Sequence, residues 1–147
     1  MVATKPLANQ RDLAETVRSS GDALLTIIND ILDFSKIESG KMELDQSPFE
    51  LSLCLEDALD LFALQAAAKK LEIGYYIAPG VPTWIVGDVT RLRQVIVNLV
   101  GNAIKFTDSG SVDLTLSPAG ENAWRVSIAD TGIGIEKEHQ DLVFQEF

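Results

Sequence analysis

Two asparagines and a lysine recur at a regular spacing and have the chemistry to hold a metal ion and a phosphate group. Asn98, Asn102 and Lys105 are four and three residues apart, a spacing that aligns side chains along one side of an α-helix. An amide oxygen can ligate Mg²⁺, and a lysine can neutralise phosphate charge. The same pattern is typical of a solvated helix face, so the spacing alone does not decide between a ligand site and a polar surface.

A carboxylate followed by two glycines forms a second candidate site. The sequence Asp130-Thr131-Gly132-Ile133-Gly134-Ile135 comes directly after a predicted strand. A carboxylate at a strand end can accept a hydrogen bond from the amino group of a base, and glycines let the chain turn and let a ligand approach the backbone. Gly-x-Gly also marks ordinary tight turns, and in that interpretation Asp130 opens the turn.

The first motif lies on a predicted helix that Asp88 caps and that runs to about Phe106. Its apolar face is predicted to consist of Leu92, Val95, Ile96, Leu99 and Ala103. At about 100° per residue, the polar line lies about 110–120° from this face and therefore beside the core.

The second motif follows a predicted hairpin. Ser111–Ser117 and Ala123–Asp130 alternate between apolar and polar residues, and a loop at residues 118–122 joins them. Glu138–Phe147 is predicted to begin a further helix.

The chain opens with one long predicted helix, from about Asn9 to Ser39, which Gly40 ends. Apolar residues recur every seven positions, a spacing suited to a helix–helix seam. These residues are Val17, Leu24 and Ile31, then Leu25 and Leu32, and then Ile27 and Phe34.

Short elements are predicted between the two long helices, with Gly40 as the domain boundary. We predict a strand at Lys41–Asp45, a turn at Ser47-Pro48, and strands at Leu71–Ala78 and Trp84–Val86. A helix capped by Ser52 is predicted to bury Leu55, Leu59, Phe62 and Ala66. The only cysteine, Cys54, lies among leucines and is predicted to be a buried apolar residue. The order of elements indicates an α+β fold preceded by a separate helix.

Composition and charge narrow the class of protein. The chain has 147 residues, a hydrophobic fraction of 46% and a net charge of −10. The acidity argues against a nucleic-acid partner, because phosphate contacts need clustered Lys and Arg. No apolar run reaches the roughly 18 residues that cross a bilayer, and no signal peptide is recognisable. We predict a cytoplasmic chain without direct membrane contact, and a longer parent protein can still be membrane-anchored upstream.

Taken together and in order, the motifs resemble those of sensor histidine kinases. Residues 98–107, Asn-Leu-Val-Gly-Asn-Ala-Ile-Lys-Phe-Thr, resemble the N box of that family, and residues 130–134 resemble its first glycine box. Residues 32–41 resemble the end of the second dimerisation helix and its linker. Residues 140–147, with Phe144 and Phe147, resemble the F box that opens the ATP lid.

The resemblance implies a domain order and an activity. Residues 1–40 would be the second helix of the dimerisation and phosphoacceptor domain. Residues 41–147 would be an ATP-binding domain with the α/β sandwich shared with gyrase-type ATPases, truncated after the F box because no second glycine box follows. The parent would be a hybrid-type kinase that uses Mg-ATP to phosphorylate its own histidine and relays the phosphoryl group to a response-regulator receiver domain.

The resemblance also implies roles for the N-box residues. Asn102 would ligate Mg²⁺ between the phosphates, Asn98 would help order the waters of the metal, and Lys105 would reach toward the phosphates. Thr107, which follows the N box, would line the site. Gyrase-type ATPases carry a glutamate as general base at the position of Asn98. Since an asparagine cannot accept a proton, and phosphoryl transfer depends mostly on positioning and charge neutralisation, a kinase is favoured over a stand-alone ATPase.

In the glycine box, the resemblance implies that Asp130 binds the adenine amino group. Gly132 and Gly134 would shape the base pocket and the start of the lid. The phosphoacceptor of the family is a histidine on the first dimerisation helix, whereas the only histidine here, His139, lies near the F box. We interpret it as an exposed structural residue, so no catalytic residue is assigned. The chain alone should stay unlabelled by labelled ATP, and acid-labile labelling of His139 would overturn this expectation.

A second hypothesis belongs to a different class of function. The seam of the first helix lacks its usual hairpin partner and the second glycine box is missing. The chain would then be a non-catalytic dimerisation module whose site no longer holds nucleotide. Both hypotheses predict self-association through the N-terminal helix.

Overall fold

The computed structural model describes residues 8–140 and 142–143. The chain divides into two compact units between Leu44 and Asp45. Among its described residues, the first unit contains one helix, α1 (Ala8–Glu38). The second contains, in order, β1 (Ser47–Glu50), α2 (Leu51–Asp60), α3 (Ala63–Lys69), β2 (Glu72–Ile77), β3 (Trp84–Gly87), α4 (Val89–Phe106), β4 (Ser111–Gly120), β5 (Ala123–Asp130) and α5 (Lys137–Gln140). This mixture of helices and strands confirms the predicted α+β class.

Helix α1 has the predicted extent to within one residue at each end. Gly40 ends it with a φ of +63°, a conformation that costs glycine little. Its N–H donates to Ile37 O at 3.0 Å, and Lys41 N–H donates to Lys36 O at 2.9 Å, which together form a Schellman cap. None of the helices in the described part of the chain is long and apolar enough to cross a membrane.

The apolar side chains of α1 remain largely exposed within the first unit. Val17 is 70% exposed and Ile31 62%. The other exposed large apolar side chains of this helix are those of Leu13, Leu24, Leu25, Ile27, Ile28, Leu32, Phe34 and Ile37.

The described residues of the second unit form two sheets. In the larger one the strand order is β2-β4-β5, with β2 parallel and β5 antiparallel to β4. In the smaller one β1 pairs antiparallel with β3. Helices α2 and α4 pack together over the larger sheet, and their main core consists of Leu55, Ala58, Leu59, Ala66, Leu71, Ile96, Val100, Ala103, Ile104, Val112 and Leu114. A second cluster joins β1, α2 and β4 and includes Cys54, which is free and buried as predicted.

Asp88 caps α4 as predicted. Its Oδ1 accepts a hydrogen bond from Arg91 N–H at 3.0 Å, and its Oδ2 accepts one from Asp45 N–H at 3.2 Å. These backbone donors, that of Arg91 first, lower the pKa of the Asp88 carboxyl below its ordinary value. One side chain thus begins the helix of the first motif and anchors the start of the second unit.

The buried face of α4 differs from the predicted one. Ile96 and Ala103 are buried, but Val95 and Leu99 are 54% and 46% exposed. Val100 and Ile104 are buried in their place, because the sheet and α2 contact the side of the helix that carries these two residues. With these four residues in the core, the polar line lies about 180° away, on the opposite side of the helix, rather than 110–120°. The candidate residues therefore project away from the core.

The predictions for residues 41–52 were wrong in three places. No strand forms at Lys41–Asp45, and Ser47-Pro48 begins β1 instead of a turn; proline is tolerated there because β1 is an edge strand. Helix α2 starts at Leu51, whose N–H donates to Thr83 O at 2.9 Å. Ser52 does not cap it, since its hydroxyl donates to Glu50 Oε1.

The predicted helix through Ala66 is interrupted at Leu61 and Phe62, which separate α2 from α3. Leu55, Leu59 and Ala66 are buried as predicted, and Phe62 is partly buried. Phe62 packs against α4 at Gly101, where an added Cβ would lie 3.3 Å from the ring. Phe62, at the break between α2 and α3, therefore contacts α4.

The hairpin forms with a tighter turn than predicted. Strand β4 continues to Gly120, and Pro118 pairs with Trp124 beside a bulge. The connection is reduced to Glu121 and Asn122, and Asn122 has a φ of +55°, a conformation that asparagine tolerates well. Strands β2, β3 and β5 lie within one residue of their predicted bounds.

Candidate functional site

The polar line of α4 is solvent-exposed along its length. Asn98, Asn102 and Lys105 are all exposed. Within the described part of the chain, neither carboxamide makes a hydrogen bond, so both retain their donors and acceptors for a ligand. The Lys105 ammonium lies 5.1 Å from the centroid of the Phe106 ring, a cation–π contact. The line thus presents two free amides and one positive charge toward the C-terminal end of the helix.

Asp130 is the last residue of strand β5. The carboxylate is exposed, and its Oδ1 accepts a hydrogen bond from Gly132 N–H at 2.9 Å. This local bond fixes the orientation of the side chain, as in an Asx turn. Among the described residues no group donates to Oδ2, so that oxygen is available to a ligand.

Gly132 joins the two motifs. An added Cβ at this position would lie only 2.4 Å from the Phe106 carbonyl oxygen. It would also lie 2.8 Å from Asp130 Oδ1 and from Thr107 Oγ1. Ile133 N–H donates to Phe106 O at 3.3 Å. Residues 130–134, which we call the glycine segment, therefore pack directly on the C-terminal end of α4. Only a residue without a side chain fits at position 132.

Gly134 and Thr107 have different surroundings from Gly132. Gly134 is exposed with a φ of +71°, and an added Cβ would meet nothing within 4 Å. Glycine is therefore favoured at position 134 by the backbone conformation and not by a lack of space for a side chain. Thr107 is fully buried, and its hydroxyl donates to Ala103 O at 2.7 Å. Thr107 is therefore a buried residue that stabilises the junction, by which we mean the contact between the C-terminal end of α4 and the glycine segment. It is not part of an exposed surface.

Thr131 and Gly110 also shape the junction, although the sequence did not single them out. Thr131 Oγ1 accepts a hydrogen bond from Ser111 N–H at 3.0 Å and donates to Ser109 O at 3.1 Å. Gly110 has a φ of +108°, and an added Cβ would lie 2.1 Å from Thr131 Oγ1. The turn Asp108-Ser109-Gly110 was a signal for a loop, but its contact with residue 131 cannot be read from local sequence.

A pocket of about 210 Å³ lies at this junction. Of the predicted site residues only Gly132 lines it, together with Phe106, Asp108, Ser109, Thr131 and Ile133. The structure therefore joins Asp130 and Gly132 to the helix end, while the α4 polar line lies outside this pocket.

His139 is located in the short helix α5 and is exposed. Its Nδ1 lies 3.8 Å from Glu136 Oε2, a surface contact between neighbours in sequence. Of the predicted F box, Gln140 and residues 142–143 are described, whereas Phe144 and Phe147 lie outside the described residues.

Comparisons with known families match both parts of the chain. Residues 87–147 match the family described as "Histidine kinase-, DNA gyrase B-, and HSP90-like ATPase". Residues 2–40 match the "His Kinase A (phospho-acceptor) domain". The junction of α4 and the glycine segment lies in the first of these matches. The chain therefore belongs to the sensor histidine kinase family.

Individual relatives are similar over nearly the whole chain. "Signal transduction histidine-protein kinase BarA" of Escherichia coli is 43% identical over 98% of this chain and 16% of its own length. "Sensor histidine kinase GacS" of Pseudomonas protegens is 45% identical over 94% of this chain and 16% of its own length. The chain thus spans about a sixth of these relatives. Among solved structures, full-length ShkA in complex with AMPPNP has a TM-score of 0.82 and 37% identity, over 97% of this chain and 30% of that one.

Proposed function

We propose that this chain is the nucleotide-binding part of a hybrid-type sensor histidine kinase. Its parent would use Mg-ATP to phosphorylate its own histidine and relay the phosphoryl group to a response-regulator receiver domain. The observation that carries the proposal is the packing of Gly132 on the end of α4 beside the Asp130 carboxylate, whose Oδ2 has no hydrogen-bond partner among the described residues. The AMPPNP complex of ShkA, a similar protein, supports it.

The α4 polar line fits the phosphate side of Mg-ATP. In the described residues no cluster of three or more His, Cys, Asp or Glu side chains could hold a metal ion. We propose that the amide oxygen of Asn102 would hold Mg²⁺, which would neutralise phosphate charge when bound. Asn98 would order water around the metal, and Lys105 would neutralise phosphate charge. Bound Mg-ATP supplies the phosphoryl group that is transferred.

The glycine segment fits the base side. We propose that Asp130 Oδ2 accepts a hydrogen bond from the adenine amino group, while Oδ1 stays bonded to Gly132 N–H. Gly132 keeps the segment against α4, and Gly134 lets the chain turn away from the base. The exposed Ile133 and Ile135 provide apolar surface next to the proposed base position.

Residue types favour phosphoryl transfer to a histidine over hydrolysis. Asn98 cannot act as a general base, so water would lack an activating group on this helix.

The matched phosphoacceptor region, residues 2–40, contains no histidine, so we expect these 147 residues by themselves not to autophosphorylate. We assign residues 1–40 to the dimerisation and phosphoacceptor domain, residues 41–147 to the ATP-binding domain, and the activity to the cytoplasm.

The metal dependence of nucleotide binding tests this function. Mg²⁺ should tighten ADP binding to the chain, and Asn102→Ala should remove most of that gain, on the order of tenfold, because a metal ligand is lost. ADP titrations with Mg²⁺ and with EDTA measure the gain for each variant. Gln65→Ala, which removes an exposed carboxamide on α3, is the matched control. Equal Mg²⁺ gains in the Asn102→Ala and native chains would refute the assignment of the metal ligand.

We also propose that α1 mediates self-association. The supporting observation is its exposed apolar stripe, which repeats every seven residues. Exposure of such a stripe to water is unfavourable, and such stripes are usually buried against a second helix. This role is compatible with nucleotide binding. It becomes the main function in the alternative in which the site holds no nucleotide.

A further inference from the structure

Helix α4 ends without a glycine cap, yet its last carbonyl groups are all hydrogen-bonded. Its C-cap, Thr107, has extended backbone angles, with φ −110° and ψ 122°, so the last four carbonyls have no partner within the helix. Thr107 Oγ1 donates to Ala103 O, and Ile133 N–H donates to Phe106 O. Two carbonyls remain, and a side chain from another helix satisfies both.

That side chain is Lys69, the last residue of α3. Its Nζ donates to Ile104 O at 2.9 Å, to Lys105 O at 3.2 Å and to Thr107 O at 3.0 Å. An ammonium group has three hydrogens, and all three are used here. A positive charge at this end of a helix is also favoured by the helix dipole. Asp108 Oδ1 lies 3.7 Å from the same nitrogen and adds an ion pair on the solvent side.

We propose that Lys69 is a positioning residue for the nucleotide site. It holds the last turn of α4, which carries Lys105 and lies one turn beyond Asn102. The same turn receives the glycine segment through Ile133 N–H. Lys69 therefore fixes the phosphate-side groups relative to the base-side carboxylate, without contacting the ligand itself. The inference rests on the proposed function, because it concerns how the groups of that same site are positioned relative to one another.

The contacts of Lys69 distinguish this role from direct phosphate binding. Its Nζ lies within 3.2 Å of three backbone carbonyl oxygens, which accounts for all three hydrogens of the ammonium group and leaves none for a phosphate oxygen. Lys105, in contrast, makes no side-chain hydrogen bond within the described residues and is free to reach a ligand. If Lys69 acts through the last turn, its removal should cancel the benefit of Lys105. If it only stabilises the fold, the two effects should be independent.

A double-mutant cycle tests the proposal. Lys69→Met keeps the length of the side chain and removes its charge and donors. We expect Mg-ADP affinity to fall on the order of tenfold, because small misplacements of site groups weaken binding strongly. Lys105→Met should cost as much in the native chain but little more in the Lys69→Met background. Lys70→Met is the matched control: Lys70 is exposed, and within the described residues its ammonium makes no hydrogen bond, so affinity should not change.

Amide hydrogen exchange without nucleotide supplies an independent readout. Lys69→Met should speed exchange at the amides of residues 104–106 and at Ile133, and leave residues 92–98 unchanged. Unchanged affinity in Lys69→Met, or fully additive losses in the cycle, would overturn the proposal. If the native chain binds no Mg-ADP, the proposed function itself fails. Exchange then still decides on Lys69, since unchanged exchange at residues 104–106 would show that it does not organise the helix end.

Discussion

Replacing Gly132 by alanine is expected to weaken nucleotide binding strongly while most of the fold remains. The added methyl group would lie 2.4 Å from the Phe106 carbonyl oxygen, a backbone atom that cannot move without disturbing the end of α4. The segment would have to shift away from the helix and break the bond from Ile133 N–H to Phe106 O. Overpacking of this kind costs about 1–3 kcal/mol, and displacement of Asp130 should weaken Mg-ADP binding on the order of a hundredfold.

Calorimetry with Mg-ADP and thermal unfolding together measure these effects. Gly74→Ala is the control, because an added Cβ at this position meets nothing within 4 Å and its φ is not positive. It should leave both affinity and stability close to those of the native chain. Near-native affinity in Gly132→Ala would show that the contact between the glycine segment and α4 does not form the site.

A glutamate at position 31 is expected to dissociate the self-associated chain. Ile31 lies on the α1 stripe seven residues after Leu24, and both are exposed within the first unit. A two-fold symmetric pairing would bring two copies of each substituted residue into the interface, and burial of unpaired carboxylates is strongly unfavourable. The dissociation constant should rise on the order of a hundredfold or more.

Sedimentation or light scattering over a range of concentrations gives the mass of each variant. Asn29→Glu is the matched control, since position 29 lies on a polar line with Glu15, fourteen residues before it, and Lys36, seven residues after it. It adds the same charge outside the stripe and should preserve the assembly. A native chain that stays monomeric at high concentration would contradict the role of α1.

Local signals predicted the elements whose ends depend on neighbouring residues. Asp88 caps α4 with its own side chain, and Gly40 ends α1 through bonds to residues three to five positions earlier. The strand alternation before Asp130 likewise lies within one short segment. For these elements the physical cause is contained within a few residues, so the sequence alone was sufficient.

Non-local contacts explain what the sequence did not reveal. Pro48 is in a strand because Val86 pairs with it, and the buried row of α4 is chosen by α2 and the sheet. Lys69 caps a helix more than thirty residues further along the chain. Of the candidate site, the sequence supplied the residue types and the resemblance supplied their roles. The packing of Gly132 on Phe106 and the bonds of Thr131 became visible only in the fold.

Titration of the chain with Mg-ADP, beside the variant Asp130→Asn, tests the central claim most directly. Asparagine can keep the bond from Gly132 N–H through its carbonyl oxygen, but it places an amino group where the free carboxylate oxygen lies. We predict that the native chain binds Mg-ADP and that the variant loses that binding while its unfolding temperature changes little. Absence of binding by the native chain, or equal binding by both, would contradict a nucleotide site built on Asp130 and would favour the dimerisation module.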